Sequence, residues 1–544
     1  EGYFLSNRQM PWWIVLVSIM GTQASAVTFL TAPGQAYTDG MRFLQYYFGL
    51  PVAMVLLCIT LVPLFHRLKV FTAYAYLEQR FDLKTRTLTA FLFLLSRGLS
   101  TGISVIAPSL VLHSLLGWDF YLTNLAMGGL LIVYTTTGGA RAVAYTQQLQ
   151  FIIIYSAMGI AAFYAVKSLP PEISVIDALH VGGKSGKLNV ITSGVTASGF
   201  DWKDKYNLFS GLIGGFFLAL SYFGTDQSQV GRYLTARSVG ESKRGLLMNG
   251  LVKVPLQFFI LIIGVFIFVL YPFHRTPAYF NLEQEKQVRQ TVWAPEYAKL
   301  ETTFQGLQDQ RKNISIQLAL AIKANDEARV DQLRHSLQEV EAASRQVRTE
   351  IKQVIKKAIP DADGNDTNYI FLRFAGDFLP KGIVGLLIAI LFLASWGSIA
   401  AALNGLSSST MIDFHLKFSR RQLKPEEEYR WSQFYTLVWG LFCVVTSLYA
   451  YNVGNSLIEA VNILGSWFYG TILGIFLVAF YFKRVGGHAV FAAALLTELL
   501  VIAIYKADVI SFLWLNVIGT AGVLLLSNLL QLIIGNKKPG TSPG

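Results

Sequence analysis

The chain has 544 residues, 53% of them apolar and only 14% charged, with a formal net charge of +12 and a mean hydropathy of +0.45. Soluble domains carry nearer a quarter charged residues. Here the apolar residues fall in long runs such as Leu50 to Leu64, Leu246 to Tyr271 and Gly382 to Ile399, each long enough to cross roughly 30 Å of hydrocarbon as a helix. That excludes a water-soluble globular protein. The basic residues are spread through short loops between the runs, which excludes a nucleic-acid surface as the reason for the positive charge.

Twelve spans are predicted in chain order: A 11–32, B 43–65, C 87–114, D 119–137, E 146–167, F 207–234, G 246–273, H 378–415, I 430–452, J 456–482, K 487–505 and L 510–534. C and H exceed one crossing and must tilt or continue beyond the membrane. The chain begins at Glu1, and its first span is long and leads into further spans, so it reads as a membrane helix rather than a cleaved signal. Cys58 and Cys443 both lie inside spans, where they read as small core residues rather than a disulfide framework. Lysine and arginine set the expected orientation. The B–C loop holds Arg67, Lys69, Arg80, Lys84 and Arg86, F–G holds Arg237, Lys243 and Arg244, and H–I holds Lys417, Arg420, Arg421 and Lys424. The C–D and I–J loops have none. Basic loops and the C-terminus are therefore expected on the cytoplasmic side of the cell membrane.

Residues 276–377, between G and H, are polar and charged. Leu300, Phe304, Leu307, Ile314, Leu318 and Ala321 keep a 4,3 spacing interrupted by Arg311. After Asn325-Asp326 a second arm repeats that spacing through Leu333, Leu337, Val340, Ser344, Val347, Ile351 and Val354. Two seams around a turn predict an antiparallel helical hairpin outside the membrane, on the extracellular or periplasmic face. It reads as a solvated spacer or as a docking arm for a protein partner.

No enzyme signature is present: no glycine-rich phosphate loop with its lysine, no HExxH and no paired cysteine ligands. Without a nucleotide site the candidates are a channel, a secondary transporter or a receptor. Spans A and F help to choose. Gly21-Thr22-Gln23-Ala24-Ser25 and Gly224-Thr225-Asp226-Gln227-Ser228 put small and polar residues at membrane depth. Unwound backbone there is tolerated only where it lines a cavity. F also lies five spans after A in opposite orientation, the pattern of inverted repeats with interrupted first helices. Small residues in span A also suit close helix packing, whereas a carboxylate such as Asp226 inside a span is costly unless paired or hydrated. Span H, from Ala394-Ser395-Trp396-Gly397-Ser398 to Ser407-Ser408-Ser409-Thr410, is crowded with hydroxyls that could join freed carbonyls around a hard cation such as sodium.

These residues resemble the sodium:solute symporters, relatives of the sodium/glucose cotransporters. The likeness lies in Gly2-Tyr3-Phe4-Leu5-Ser6-Asn7-Arg8, Thr31-Ala32-Pro33-Gly34-Gln35-Ala36-Tyr37, Gly224-Thr225-Asp226-Gln227 through Arg232-Tyr233-Leu234, and Leu403-Asn404 through Ile412-Asp413. It covers nearly the whole chain except the hairpin. It implies an all-α, LeuT-like core with a first repeat at 11–167, a loop at 168–206, and a second repeat at 207–482 interrupted by 276–377. Two appended helices at 487–534 follow, and a leading helix upstream of Glu1 is implied. The family's sodium site would fall on carbonyls of Gly21, Ala24 and Ala394 and on the hydroxyl of Ser398, with Gly397 lacking one expected hydroxyl. A second site requires an acid where this chain has Gln147, so one sodium is expected. The solute would sit near Gln23, Thr28, Asp226 and Gln227, with Tyr46, Arg97 and Asn462 as further wall positions.

The function expected is sodium-coupled symport of a small polar solute, with sodium as coupling ion, the bilayer as environment and no enzymatic or nucleic-acid role. The absence of an arginine cluster inside the spans tilts the expectation towards a neutral sugar or polyol. A proton-coupled transporter using Asp226 as carrier, and a non-transporting receptor, are the alternatives.

Overall fold

The computed structural model describes residues 8–534 apart from Ala24, 69–71, Glu172, Asp361, Asp363, 420–422 and 451–455, and describes only the backbone of 138–146. The described chain is nearly all helix. Its small sheet is an antiparallel pair, Val195–Thr196 with Gly199–Phe200, in the loop after span E. Among the described residues nine helices are long and apolar enough to cross a membrane, and two shorter apolar helices join them. The chain is a multi-pass membrane protein.

Span A is two helices, α1 (Trp12–Gln23) and α2 (Ala26–Asp39), separated at Ala24 and Ser25. Ser25 is extended, with φ −75° and ψ 164°. Thr28 Oγ1 donates to the Gln23 carbonyl at 3.3 Å, so a side chain from the second helix partners backbone of the first. Span B is α3 (Leu50–Ile59) followed by α4 (Leu61–Leu68), and span C is α5 (Leu83–Leu116).

Spans D and E depart from expectation. The backbone runs as a single helix, α6 (Phe120–Lys167), of 48 residues. At 1.5 Å per residue that is about 72 Å, more than twice the hydrocarbon thickness. No proline occurs between Asp119 and Lys167, so no N–H is missing from the helical ladder and nothing forces a turn where a loop was expected. Arg141, in the predicted D–E loop, lies where only the backbone is described.

Span F is broken like span A. α7 (Gly215–Thr225) and α8 (Gln227–Tyr233) meet at Asp226, whose φ of −75° and ψ of 115° leave the helix. Span G is α9 (Val239–Leu270), which passes so close to α2 that a Cβ on Gly264 would fall 2.1 Å from the Pro33 carbonyl oxygen. Only glycine fits that crossing. The remaining spans are α12 (Lys381–Ser409), which ends in a π-turn at Thr410–His415, α13 (Pro425–Tyr449), α14 (Leu457–Tyr481), α15 (Gly487–Ala507) and α16 (Phe512–Ile534).

Between α9 and α12 stands the expected hairpin, α10 (Ala294–Lys323) and α11 (Glu327–Ala358). Asn325 makes the turn at a positive φ of 54°, and Asp326 caps α11 by accepting from Arg329 N at 3.0 Å. Phe304, Leu318, Ala321, Leu333, Leu337, Ile351 and Val354 are buried as the seams require. The hairpin is not a free spacer, however. The guanidinium of Arg311, where the seam breaks, lies 3.9 Å from the centre of the Phe268 ring and donates to the Phe268 carbonyl at 3.0 Å. Lys323 pairs with Asp177 at 2.8 Å, while Arg348 at 2.5 Å and Lys352 at 2.8 Å converge on buried Asp366. Asp366 also accepts from Phe280 N at 3.0 Å, which ties the strap before α10 to the segment before α12.

Burial opposes the charge on Asp366, but Arg348 and Lys352 outweigh it and hold the carboxyl well below the usual carboxylate range. A depressed folded pKa gives stability that is complete above the unfolded value near ~4 and is lost only as pH falls towards the folded one. Thermal unfolding of the Arg348→Met variant is therefore expected to show a loss below the ~3–5 kcal/mol of a fully orphaned buried charge, because Lys352 remains. That loss should not change between pH 5 and 8, and a loss that grows across this window would refute the assignment.

Candidate functional site

The breaks in spans A and F have local causes that also build a cavity between them. At the second break the carbonyl of Thr225 is freed, and the hydroxyl of Tyr74 donates to it at 2.7 Å. The carboxylate of Asp226 caps α8, one oxygen accepting from Ser228 N at 2.8 Å and Ser228 Oγ at 2.5 Å. Its other oxygen accepts from the Tyr469 hydroxyl at 2.9 Å and lies 3.9 Å from Arg97. Both ends of the second break are thus met by side chains, as a low-dielectric surround demands.

Beside these breaks lies a cavity of about 130 Å³, walled by α1, α2, α5, α7, α9, α12 and α14. One water needs about 10–15 Å³ on this measure, so the space holds more than a single water. Of the expected solute residues Gln23 and Thr28 line it, as do Tyr46, Arg97 and Asn462. Asp226 and Gln227 do not. Asp226 stands behind Tyr469 and Arg97, and Gln227 turns away to accept from Ala73 N at 3.1 Å. Their polarity serves the broken helix itself. The amide of Gln23 donates to Asn249 at 2.9 Å, and the Tyr46 hydroxyl donates to Asn462 at 3.2 Å, leaving the Asn462 amide nitrogen without a partner.

Of the expected sodium ligands, Ser398 is on the cavity wall. Its hydroxyl proton goes to its own helix, to the carbonyls of Ala394 at 3.0 Å and Ser395 at 3.1 Å, so its lone pairs remain for another partner. Gly21 and Ala394 lie outside the wall, and Ala24 lies outside the described residues. Gly21 packs on Gln147, where a Cβ would sit 3.1 Å from that side chain. Gln147 itself accepts from Ser18 at 3.0 Å and donates to the Gly397 carbonyl at 3.1 Å, bridging α1, α6 and α12. Among the described residues no cluster of three or more His, Cys, Asp or Glu side chains could hold a metal ion; a sodium site of carbonyls and hydroxyls needs none.

Against known proteins, the sodium:solute symporter family matches residues 3–298 and 350–497. The chain belongs to this family. The unmatched interval falls within the two long helices of the hairpin. As a symporter the chain is a transporter rather than an enzyme, with sodium as its coupling ion. It is 22% identical over 526 residues to the sodium/sialic acid symporter SiaT of Proteus mirabilis (strain HI4320), spanning 96% of this chain and 88% of that one. It is 28% identical over 251 residues to the human sodium/iodide cotransporter, where the match spans 46% of this chain and 38% of that protein. A solved structure of a Na+-coupled sialic acid symporter, substrate-bound and outward-open, superposes with a TM-score of 0.72 at 20% identity over 98% of this chain and 92% of that one. The symporter therefore has that fold.

Two features of the symporter's cavity, and one contact outside it, were not evident from the sequence. Ser100, Thr101 and Ser104 of α5 line it, and hydroxyl periodicity along span C was the available signal. Lys253 of α9 lines it too, although it sits in a run that reads as plain apolar span. Gln150 fills the space beside Gly397, where a Cβ would lie 2.1 Å from its carboxamide oxygen. A carboxamide from α6 thus occupies the space that a side chain at position 397 would need. Gly397→Ser must push Gln150 aside and is expected to cost about 1–3 kcal/mol as overpacking. Adding Gln150→Ala should recover most of it. A thermal-unfolding double-mutant cycle measures this, and equal losses with and without Gln150 would contradict the contact.

Proposed function

We propose that this symporter carries a small polar solute through the cavity at the meeting of its two broken helices, one sodium ion accompanying each solute. The observation that carries the reading is the wall itself. Polar groups of Arg97, Ser100 and Asn462 that no protein partner satisfies face one space, and the Ser398 oxygen, with its proton directed elsewhere, is among its lining. Sodium at Ser398, with carbonyls of α12 and of the α1–α2 break, would tie the interrupted helix to the long one and favour an outward-open state. Solute then docks beside Gln23, Thr28, Tyr46 and Asn462, and both leave inward. Membrane potential contributes roughly 2.3 kcal/mol per net charge per 100 mV.

In this reading the basic loops and the C-terminus face the cytoplasm, and the hairpin stands on the outer face. The named relatives include symporters of sialic acid and of iodide, so the solute class is open to anions as well as to the sugar or polyol suggested by composition. Proton coupling through Asp226 is the less favoured reading, because its oxygens are engaged by Ser228 and Tyr469 and it does not line the cavity.

Uptake into proteoliposomes under imposed sodium, potassium or proton gradients tests the coupling, and accumulation driven by protons without sodium would defeat it. Sodium titrations of thermal stability test the site. Ser398→Ala should raise half-saturating sodium at least tenfold, or about 1.4 kcal/mol, whereas a residue that only packs would change the baseline melting temperature and leave the titration midpoint in place. Because Gln147 supplies amide protons where a second cation would need an acid, the sodium-activation curve should have a Hill coefficient near one. A coefficient near two, matched by the charge-to-solute flux ratio, would contradict a single ion.

A further inference from the structure

Lys253 lies near the middle of α9, a helix long and apolar enough to span the membrane, and is only 2% exposed. It lines the same cavity as Ser398, with its ammonium 5.4 Å from the centre of the Tyr47 ring. Among the described residues no carboxylate pairs with it and no hydrogen-bond acceptor is found for it. Its neighbour one turn back, Asn249, is engaged by Gln23 of the broken helix, so this face of α9 looks onto the cavity. Arg97, the other cation on the wall, is already committed, being 3.9 Å from Asp226 and over the Tyr222 ring at 5.7 Å. A charged side chain at membrane depth normally pairs or marks the path of a charged species, and an aromatic face offsets only part of the cost of desolvating an ammonium.

The remaining unspent groups on the wall have the same sense. Arg97 Nε and the amide nitrogen of Asn462 are buried donors without partners, and the Ser100 hydroxyl is likewise unpaired. Two cations face one carboxylate around the cavity before any sodium arrives, and sodium adds a further positive charge. A neutral solute would leave that excess uncompensated and would compete for donors that no acceptor relieves. A small organic anion would supply both the charge and the oxygens.

We infer that the transported solute is a small carboxylate and that Lys253 is the specificity-determining residue that pairs with its anionic oxygens. This rests on the transport reading above and adds the sign of the solute's charge. It replaces the neutral sugar or polyol expected from the absence of an arginine cluster, because Lys253, alone in an apolar run, brings a positive charge to the cavity wall.

The test uses the full chain in lipid nanodiscs with sodium present and a panel of acids, each paired with its neutral counterpart: gluconate with sorbitol, glucuronate with glucose, lactate with propanediol. Thermal protection is expected from at least one acid and not from its neutral partner. In Lys253→Met the half-saturating concentration of that acid should rise at least ~tenfold, with the sodium midpoint unmoved. Lys253→Arg, which keeps the charge, should hold most of the affinity and so separates charge recognition from a folding defect. The inference is overturned if no acid protects, if the neutral partner protects equally, or if Lys253→Met binds the acid as tightly as wild type. Sodium-driven uptake in liposomes separates the two levels. Uptake of a neutral solute that survives Lys253→Met sinks the anion alone, whereas wild-type uptake that ignores the sodium gradient sinks the coupled-transport reading with it.

Discussion

Hydrocarbon offers no hydrogen-bond partners, and every unusual feature of this chain answers to that fact. A helix may stop inside the bilayer only if its open ends are closed by something else. Thr28 spans one break by bonding to the Gln23 carbonyl; Asp226 and Tyr74 close the other, at Ser228 N and at the Thr225 carbonyl. The side chains that do this must be polar, so the breaks gather polar groups at one depth. The cavity is what remains between them. Its position follows from backbone satisfaction before any question of solute arises.

The same constraint explains which parts of the molecule were legible in sequence. Long apolar runs report spans because lipid tolerates little else, and the two interruptions showed as small and polar residues in otherwise apolar stretches. The hairpin was readable from two 4,3 seams about a turn. Its attachment was not, because Arg311 and Lys323 find their partners at Phe268 and Asp177, outside the hairpin, and Arg348 and Lys352 find theirs at Asp366, beyond its second arm. Likewise the continuity of α6 hangs on what is missing, namely any proline, which a hydropathy reading does not weigh.

Within the cavity, legibility divided by role. Gln23, Thr28 and Ser398 could be placed because their neighbours carry the family's pattern. Asp226 was conspicuous for being an acid in a span, and the structure assigns its oxygens to capping and to Tyr469. Lys253 was inconspicuous because it is a single charged residue in an apolar stretch, and only three-dimensional proximity reveals what faces it. Charge inside a span is a strong signal that something is being held, but sequence does not say whether that something is the protein's own backbone or its cargo.

The carboxamide of Gln147 has a further consequence for how hard this carrier can work. Its amide donates to the Gly397 carbonyl and, unlike a bound ion, stays with the protein. A second sodium in that place would be drawn from outside and released inside, so the attainable solute gradient would scale with the square of the sodium ratio. With the single sodium proposed above, the ceiling would scale with the first power, and a monovalent anionic solute would also cancel the contribution of the membrane voltage. Such a carrier would spend little ion flux per molecule and would reverse readily once internal solute builds up. Such a device suits a solute that is consumed promptly after entry more than one that must be hoarded.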